Sequence, residues 1–262
     1  MIDKVLEVEG LEYRIGALPI LEDISFSLHR GESLSIVGPN GAGKTTLLKC
    51  MNRILKRSDG SVRVLGRPVD RFRQAELAKI ISYVPQAGRQ ALPYTVFEFV
   101  LMGRYPYFSP FSSVSLEDEK ATRDALCLTG IDHLQSRMLE TLSGGEFQKV
   151  LIAAALAQSS EIMLLDEPTT FLDPRHQTEI IQILRRTNRE QGITMLTVTH
   201  DLNSAVLISE QILAIKDGRS VFQGPSAEIM NEKILRELYE QKFDFVAHPN
   251  MHRVLAVPRV SE

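Results

Sequence analysis

The most informative segment of the chain reads Gly38-Pro39-Asn40-Gly41-Ala42-Gly43-Lys44-Thr45-Thr46. It fits the pattern G-x-x-x-x-G-K-[ST], in which glycines let successive backbone N–H groups face one anion. The apolar run at 33–37 predicts a strand before it. Apolar residues at spacings of three and four predict a helix after it, and a helix N-terminus favours an anion. The segment therefore predicts a phosphate-binding loop between a strand and a helix.

The last three residues of this loop have separate expected roles. Lys44 is expected to bridge the β- and γ-phosphates of a nucleoside triphosphate, and Thr45 to place its hydroxyl on Mg²⁺. Thr46 adds a further donor in the first helical turn. The segment thus predicts a nucleoside triphosphate and Mg²⁺ as ligands.

Polar side chains follow three other predicted strands, at the point where each strand ends. Ligands of parallel sheets lie beyond those carboxyl ends. Asp166 and Glu167 follow the run 162–165, and we expect Asp166 to join the Mg²⁺ shell and Glu167 to polarise a water that attacks the γ-phosphate. His200 follows 194–199, and Gln86 follows 80–84, where a neutral amide reaches both metal and water.

The middle of the chain has a different character. Strand-like alternation stops near Ala87, and the segments 96–102, 117–129 and 146–158 have helical patterns. Leu142-Ser143-Gly144-Gly145-Glu146 stands before the last of these helices, where a hydroxyl, two glycines and a helix N-terminus favour a second anion. We interpret the stretch 104–111, with two prolines, as an exposed turn.

Together these motifs resemble the ATP-binding cassette (ABC) ATPases, over nearly the whole chain. Gly38 to Thr46 is similar to their Walker A motif, Leu142 to Glu146 to their signature, and Ile162 to Glu167 to their Walker B motif. Gln86 resembles the Q-loop glutamine, and His200 the switch histidine. Thr170-Phe171-Leu172-Asp173 resembles the D-loop, and Tyr13 the aromatic residue that stacks on adenine.

The resemblance implies an α/β fold. Its core is a P-loop NTPase (RecA-like) core with an N-terminal antiparallel β subdomain and an inserted α-helical signature subdomain. On this interpretation the chain is a single nucleotide-binding domain, with residues 1–86 and 160–240 as core, 87–159 as helical lobe and 241–262 as a C-terminal extension.

The resemblance also implies an activity and partners. ATP hydrolysis requires two copies that enclose two ATP molecules, with Ser143, Gly144, Gly145 and Glu146 of one copy contacting the nucleotide held by the other. Glu167, His200 and Gln86 are the expected catalytic residues, and Thr45, Gln86 and Asp166 the expected Mg²⁺ ligands. A transmembrane permease, and through it a substrate-binding protein, are the further expected partners.

A subgroup is indicated by Tyr94 to Glu98, Gly103 to Pro106, Phe171 to Asp173 and His176-Gln177. These segments resemble the ATPase subunits of importers for iron-siderophore, haem and cobalamin-type chelates. Three positions depart from the common family pattern. Glu146 to Lys149 replaces Gln-x-Gln-Arg, Ala154 stands where many relatives have arginine, and Phe171 replaces a small residue.

Composition bears on where the protein is located in the cell and on whether it binds nucleic acid. Lys and Arg number 30 against 33 Asp and Glu, a net charge of −3, which disfavours binding to nucleic acid. The longest apolar run, 150–157, is short of the roughly 20 residues that cross a bilayer. The acidic start of the chain is unlike a secretory signal. We therefore expect a cytoplasmic protein, with Cys50 and Cys127 as reduced, buried thiols. The resemblance further implies a peripheral position on the cytoplasmic face of the cell (inner) membrane, held there by the permease.

Other functions are open at this stage. An importer for another cargo, such as molybdate or tungstate, has the same motifs. A DNA-repair or chromosome ATPase would carry long heptad arms between the Walker motifs, and a ribosome-associated ABC protein normally carries two cassettes. A nucleotide sensor without turnover would not need Glu167 and His200.

Overall fold

The computed structural model describes residues 3–86, 88, 92–108, 113–249 and 253–259. Its strands are β1 (Lys4–Ile15), β2 (Leu18–His29), β3 (Ser33–Val37), β4 (Asp59–Val64), β5 (Arg67–Pro68), β6 (Ile81–Val84), β7 (Ile162–Asp166), β8 (Thr194–Thr199), β9 (Gln211–Lys216), β10 (Arg219–Pro225), β11 (Phe243–Ala247) and β12 (Val254–Pro258). Its helices are α1 (Lys44–Met51), α2 (Gln74–Ala78), α3 (Val96–Met102), α4 (Leu116–Thr129), α5 (Gly144–Ala157), α6 (Pro174–Gln191), α7 (Leu202–Ile208) and α8 (Glu232–Tyr239).

The chain separates into two compact units, one from residues 1–71 and 194–262 and one from residues 72–193. Ala87, the predicted start of the helical lobe, and the last three residues of the predicted C-terminal extension lie outside the described residues. The predicted subdomain boundaries at 87, 160 and 241 stay predictions.

The first unit contains two larger sheets. β1 pairs antiparallel with β2 and with β4, so the predicted antiparallel β segment is present. In the other sheet β3 lies parallel to both β8 and β9, and β10 is antiparallel to β9. All residues of β3 and β8 are buried, including two serines in β3 and three threonines in β8.

The second unit contains the parallel pair of β6 with β7 and the helices α2 to α6. Three of these helices begin at a capping box, in which a Thr or Ser hydroxyl accepts from the N–H three residues on and the acidic residue there accepts in return. The three boxes are formed by Thr95 with Glu98, Ser115 with Asp118 and Ser143 with Glu146. Among the described residues, each helix is too short or too polar to cross a membrane.

Several local expectations were wrong. Gly10 and Gly60, which as glycines are expected to separate strands, lie inside β1 and β4 with φ values of +55° and +80°, and a Cβ on Gly60 would lie 2.2 Å from the Gly10 carbonyl oxygen. Arg104 is buried, so the turn that follows α3 is not wholly exposed. Cys127 is exposed on α4, whereas Cys50 is buried as expected. The C-terminal segment forms a two-stranded hairpin, β11–β12, and not one strand.

Candidate functional site

The predicted phosphate-binding loop lies between the buried strand β3 and α1. Gly38, Gly41 and Gly43 have φ values of +154°, +83° and +93°. Two of them are also fixed by space. A Cβ at Gly38 would lie 2.0 Å from the Ile215 carbonyl oxygen, and one at Gly43 would lie 2.7 Å from Leu21 Cδ2. The loop therefore needs glycine for its conformation and for its packing.

Lys44 is buried at the start of α1, and its ammonium donates to the carbonyl oxygens of Gly38 (2.8 Å) and Pro39 (2.9 Å). The N-cap of α1, Gly43, supplies no side-chain cap, and the first turn holds no acidic residue. A helix N-terminus of this kind favours an anion, because its N–H groups and dipole are positive. Thr45 and Thr46 are half-buried in the same turn.

His200 belongs to the same unit as this loop. β3 and β8 are in parallel register, with Val37 opposite Thr199, so Gly38 and His200 follow strand ends that lie side by side. His200 is exposed. The next residue, Asp201, caps α7 by accepting from the N–H groups of Asn203 and Ser204, as the sequence predicts. Tyr13 is half-buried in β1, opposite Leu21 on β2.

The second unit brings Gln86, Asp166 and Glu167 to one edge. Val84 on β6 lies opposite Leu165 on β7, so both strands end at the same level. Asp166 is 3% exposed and accepts a hydrogen bond of 3.1 Å from the Tyr83 hydroxyl. Burial, and then the Asp166 charge, raise the pKa of Tyr83, which keeps this hydroxyl a donor. Gln86 is exposed.

Glu167 has an unusual backbone and a fixed side chain. Its φ of +52° lies in the left-handed region, which side chains rarely adopt. Its Oε2 accepts a hydrogen bond of 2.6 Å from Thr170 Oγ1, so the carboxylate is aimed by the turn that follows β7. The sequence motifs do not point to Tyr83, and they give Thr170 no role beyond its place in the D-loop. A polar aromatic three residues before Gln86, and a hydroxyl three residues after the glutamate, are the signals that could have found them.

The predicted signature forms the capped N-terminus of α5. Ser143 is the N-cap of α5, its Oγ accepts from the Glu146 N–H (3.3 Å), and its own N–H donates to Glu146 Oε2 (2.7 Å). This backbone hydrogen bond, with smaller contributions from the Ser143 hydroxyl and Arg137, holds the pKa of Glu146 below its ordinary value. The glutamate that replaces the common glutamine thus completes a capping box.

Asp173 of the predicted D-loop is the N-cap of α6. Its Oδ1 accepts from the His176 N–H at 3.0 Å, and its Oδ2 lies 2.6 Å from His176 Nδ1. These two bonds, the backbone one first, hold the pKa of Asp173 below its ordinary value. Asp173 and Phe171 are both exposed, and Phe171 has φ +63°.

The donor set suits magnesium better than a transition metal. Within the described part of the chain, His, Cys, Asp and Glu side chains form no group of three or more that could hold a metal ion. Magnesium needs only one or two carboxylates, because substrate phosphates and water complete its shell. In the second unit, Asp166 and the Gln86 amide carry hard oxygen atoms of the kind that this ion prefers, and in the first unit the Thr45 hydroxyl carries another.

The loop, the carboxylates after β7 and the capped signature together define an ABC-type ATPase. The sequence profile of the family described as ABC transporter matches residues 21–170. The chain belongs to this family, whose cassettes have the P-loop NTPase fold with an antiparallel β subdomain and a helical insert, bind ATP, and hydrolyse it to drive transport.

Two similar proteins are named as ATP-binding proteins of import systems. The chain is 39% identical, over 95% of its own length and 92% of the relative's, to the iron(3+)-hydroxamate import ATP-binding protein FhuC of Bacillus subtilis strain 168. It is 37% identical, over 97% of its own length and 88% of the relative's, to the hemin import ATP-binding protein HmuV of Thermobifida fusca strain YX.

Solved structures of ABC transporters are also similar to this chain. A transporter assigned to the metal-chelate type, in an inward-facing conformation, matches with a TM-score of 0.86 and 28% identity over 98% of both chains. The dimeric bacterial ABC transporter cassette MJ0796 matches with a TM-score of 0.74 and 29% identity, over 84% of this chain and 98% of that one.

Proposed function

We propose that this chain is the ATP-hydrolysing subunit of an ABC importer that takes up a metal chelate of the iron-siderophore, haem or cobalamin type through a separate permease. The observation that carries the cargo class is similarity over nearly the full length to ATP-binding proteins named for hydroxamate and hemin import. The motifs for ATP alone would fit an importer of any cargo.

In this proposal the loop from Gly38 to Thr46 holds the triphosphate. The N–H groups of Gly41, Ala42 and Gly43 face the phosphates, and Pro39 and Asn40 shape the turn. Lys44 moves from the carbonyls of Gly38 and Pro39 to the β- and γ-phosphates, because an anion attracts the ammonium more strongly than a neutral carbonyl does. Tyr13 stacks on the adenine ring.

Thr45, Asp166 and Gln86 would hold the magnesium ion. When bound, Mg²⁺ neutralises charge on the β- and γ-phosphate oxygens. Tyr83 supports this arrangement, because its hydroxyl donates to one oxygen of Asp166 and so keeps the buried carboxylate in place.

Glu167 acts on the attacking water. Its carboxylate accepts the water proton as the oxygen bonds to the γ-phosphorus and the bond to the bridging oxygen of ADP breaks. The hydrogen bond that Thr170 Oγ1 donates to Glu167 Oε2 aims the side chain. His200 and Gln86 contact the γ-phosphate and the water from the ends of β8 and β6.

The proposal includes two copies. Ser143, Gly144, Gly145 and Glu146 of one copy complete the ATP site of the other, with Asp173 at the interface between them. The dimeric cassette among the similar structures supports this arrangement. Permease subunits bind the pair at the cytoplasmic face of the membrane, and a substrate-binding protein delivers the chelate to the permease. The names of the relatives as import subunits support the permease.

Uptake by cells tests the cargo. A strain without the gene for this chain, supplied with the wild-type or the Lys44→Ala chain, is compared for uptake of radiolabelled ferric hydroxamate, haem, cobalamin and molybdate. We expect the wild-type chain alone to restore uptake of one of the three chelates. Restored molybdate uptake with no chelate uptake would refute the cargo class and leave the ATPase assignment intact.

Two substitutions test the residue assignments. Lys44→Ala should abolish ATP binding, because it removes the ammonium that bridges the phosphates. Glu167→Gln should bind labelled ATP as the parent does and lower turnover by roughly 100-fold or more, because the amide cannot accept the proton. Parental turnover by Glu167→Gln would show that another group acts as the base.

A further inference from the structure

The N-terminal turns of α5 and α6 lie side by side within the second unit. Lys149 Nζ on α5 is 2.6 Å from Glu179 Oε2 on α6. One turn earlier on both helices, Gly145 meets His176, since a Cβ on Gly145 would lie 2.2 Å from His176 Cδ2 and 2.3 Å from Cγ. The spacing of four residues on α5 and three on α6 shows that the two helices run in the same direction along this contact.

The His176 ring is held in place from the other side. Its Nδ1 lies 2.6 Å from Asp173 Oδ2, and its own backbone N–H donates to Asp173 Oδ1. The side chain is 25% exposed. A displacement of the ring away from Gly145 therefore breaks the bond to Asp173, so the ring is unlike the free end of a flexible side chain.

The two signature glycines have different surroundings. A Cβ on Gly144 would meet no atom within 4 Å, whereas one on Gly145 would overlap the imidazole. Neither glycine has a positive φ, so the backbone conformation alone does not demand glycine at either position. Within one copy, Gly145 is required to be small by His176.

We propose that His176 is a positioning residue that couples the D-loop to the signature within one chain. Its ring packs on Gly145 while its Nδ1 binds Asp173, so Ser143 to Glu146 and Asp173 move as one element when two copies meet. The catalytic part of this inference rests on the proposed ATPase function. The packing part does not.

A double-substitution experiment tests the coupling. Gly145→Ala, His176→Ala and the combined variant are compared with the wild-type chain by thermal unfolding. Gly145→Ala should lower Tm by roughly 3 to 8 °C, because the new methyl overlaps a held ring. His176→Ala should lower Tm in the wild-type background and raise it in the Gly145→Ala background, because there it removes the overlap.

Gly144→Ala is the matched control, since it adds the same methyl one residue earlier in the same turn. His176→Ala should change Tm by the same amount with and without Gly144→Ala. If His176→Ala has the same sign and size of effect with and without Gly145→Ala, the two residues are not coupled and the proposal is wrong.

ATP turnover gives the second measurement. His176→Ala should lower turnover by on the order of 10- to 100-fold while ATP binding stays at the parental level, because the signature and D-loop lose their common support. His176→Asn keeps a polar atom near Asp173 and should recover most of the turnover. Equal loss in the alanine and asparagine variants would contradict a positioning role. A wild-type chain without turnover would refute the proposed function while the Tm result still decides the contact.

Discussion

Arg104 shows how one buried charge organises the region around α3, α4 and α5. Its Nε donates to Asp118 Oδ1 at 2.9 Å, and its Nη1 donates to the Ala157 carbonyl and to Ser159 Oγ. The Tyr107 ring lies 3.9 Å from the guanidinium carbon. A buried pair of this kind is costly to break, because removing one partner leaves a charge without compensation.

Asp118 makes this pair dependent on pH. Hydrogen bonds from the Ser115 hydroxyl and from Arg104 hold the pKa of Asp118 below its ordinary value. A lowered carboxyl pKa stabilises the fold above the unfolded value of about 4, and this stability is lost as pH falls through the folded pKa.

We therefore expect Asp118→Asn to lower the free energy of unfolding at pH 7 by about 3 kcal/mol, because the buried guanidinium loses its counter-charge. The difference between the variant and the wild-type chain should begin to shrink below about pH 4 and should vanish only below the lowered folded pKa of Asp118, where the wild-type carboxyl is protonated too. Thermal unfolding followed from pH 7 to pH 3 measures both. Asp124→Asn, an exposed change on the same helix, is the control, and parallel pH curves for Asp118→Asn and wild type would contradict the expectation.

At this scale the sequence predicts the residues that contact a ligand better than those that support them. Lys44, Asp166 and Glu167 stand in linear motifs. The supporting roles of Tyr83 and Thr170 were missed, because a tyrosine or a threonine acquires its role only through a partner that the fold brings near. Arg104 was placed in an exposed turn for the same reason, since its partner, Asp118, belongs to the next helix.

Among the elements, the C-terminal hairpin β11–β12 is hydrogen-bonded to α7 by the side chain of Asn203. Asn203 Nδ2 donates to the Ala256 carbonyl at 3.0 Å, and Asn203 Oδ1 accepts from the Ala256 N–H at 2.9 Å. Ala256 is 3% exposed. This pair of bonds mimics a strand partner for β12 and adds to the packing of Phe243 and Ala256 in the hydrophobic core.

Asn203→Ala should loosen the hairpin without unfolding the rest. Losing both bonds leaves the buried N–H and carbonyl of Ala256 without their partner, at a cost of about 2 kcal/mol. Hydrogen exchange at β12 should then accelerate by roughly tenfold or more, with exchange in β3 and β8 unchanged. Asn188→Ala on α6 is the control, because it removes a side-chain amide that donates to the Ile193 carbonyl. Unchanged exchange at β12 would show that other contacts hold the hairpin.

Element prediction succeeded where burial is uniform. The runs that form β3 and β8 are buried at every residue, and both strands have the predicted limits. β1 and β2 are longer than their apolar patterns alone would predict, because the two strands pair from Lys4 with His29 to Ile15 with Leu18. Helix α1 stops at Met51, before Leu55, although the apolar spacing continues.

For the whole molecule, the two helix N-termini proposed to bind nucleotide, those of α1 and α5, belong to different compact units. Each carries one half of the chemistry proposed for a nucleotide site, with Lys44 on one and Ser143 on the other. Two copies with two nucleotides would use both halves of each chain in one symmetric arrangement.

The assembly has a direct test. Glu167→Gln with saturating Mg-ATP should sediment as a dimer, because bound ATP is not consumed, and with ADP it should sediment as a monomer. Lys44→Ala should stay monomeric with either nucleotide, since it lacks the binding step. A monomer for Glu167→Gln with Mg-ATP, both alone and with the permease, would count strongly against the two-copy arrangement.

The unequal surroundings of the two thiols have a practical consequence. Burial raises the pKa of Cys50 to about 11, which leaves it almost wholly protonated at neutral pH, and its side chain is out of contact with solvent. Cys127 is exposed on α4. A maleimide dye should therefore label the native chain at a single site, and its fluorescence should report from α4 during a titration with ATP, without any engineered cysteine.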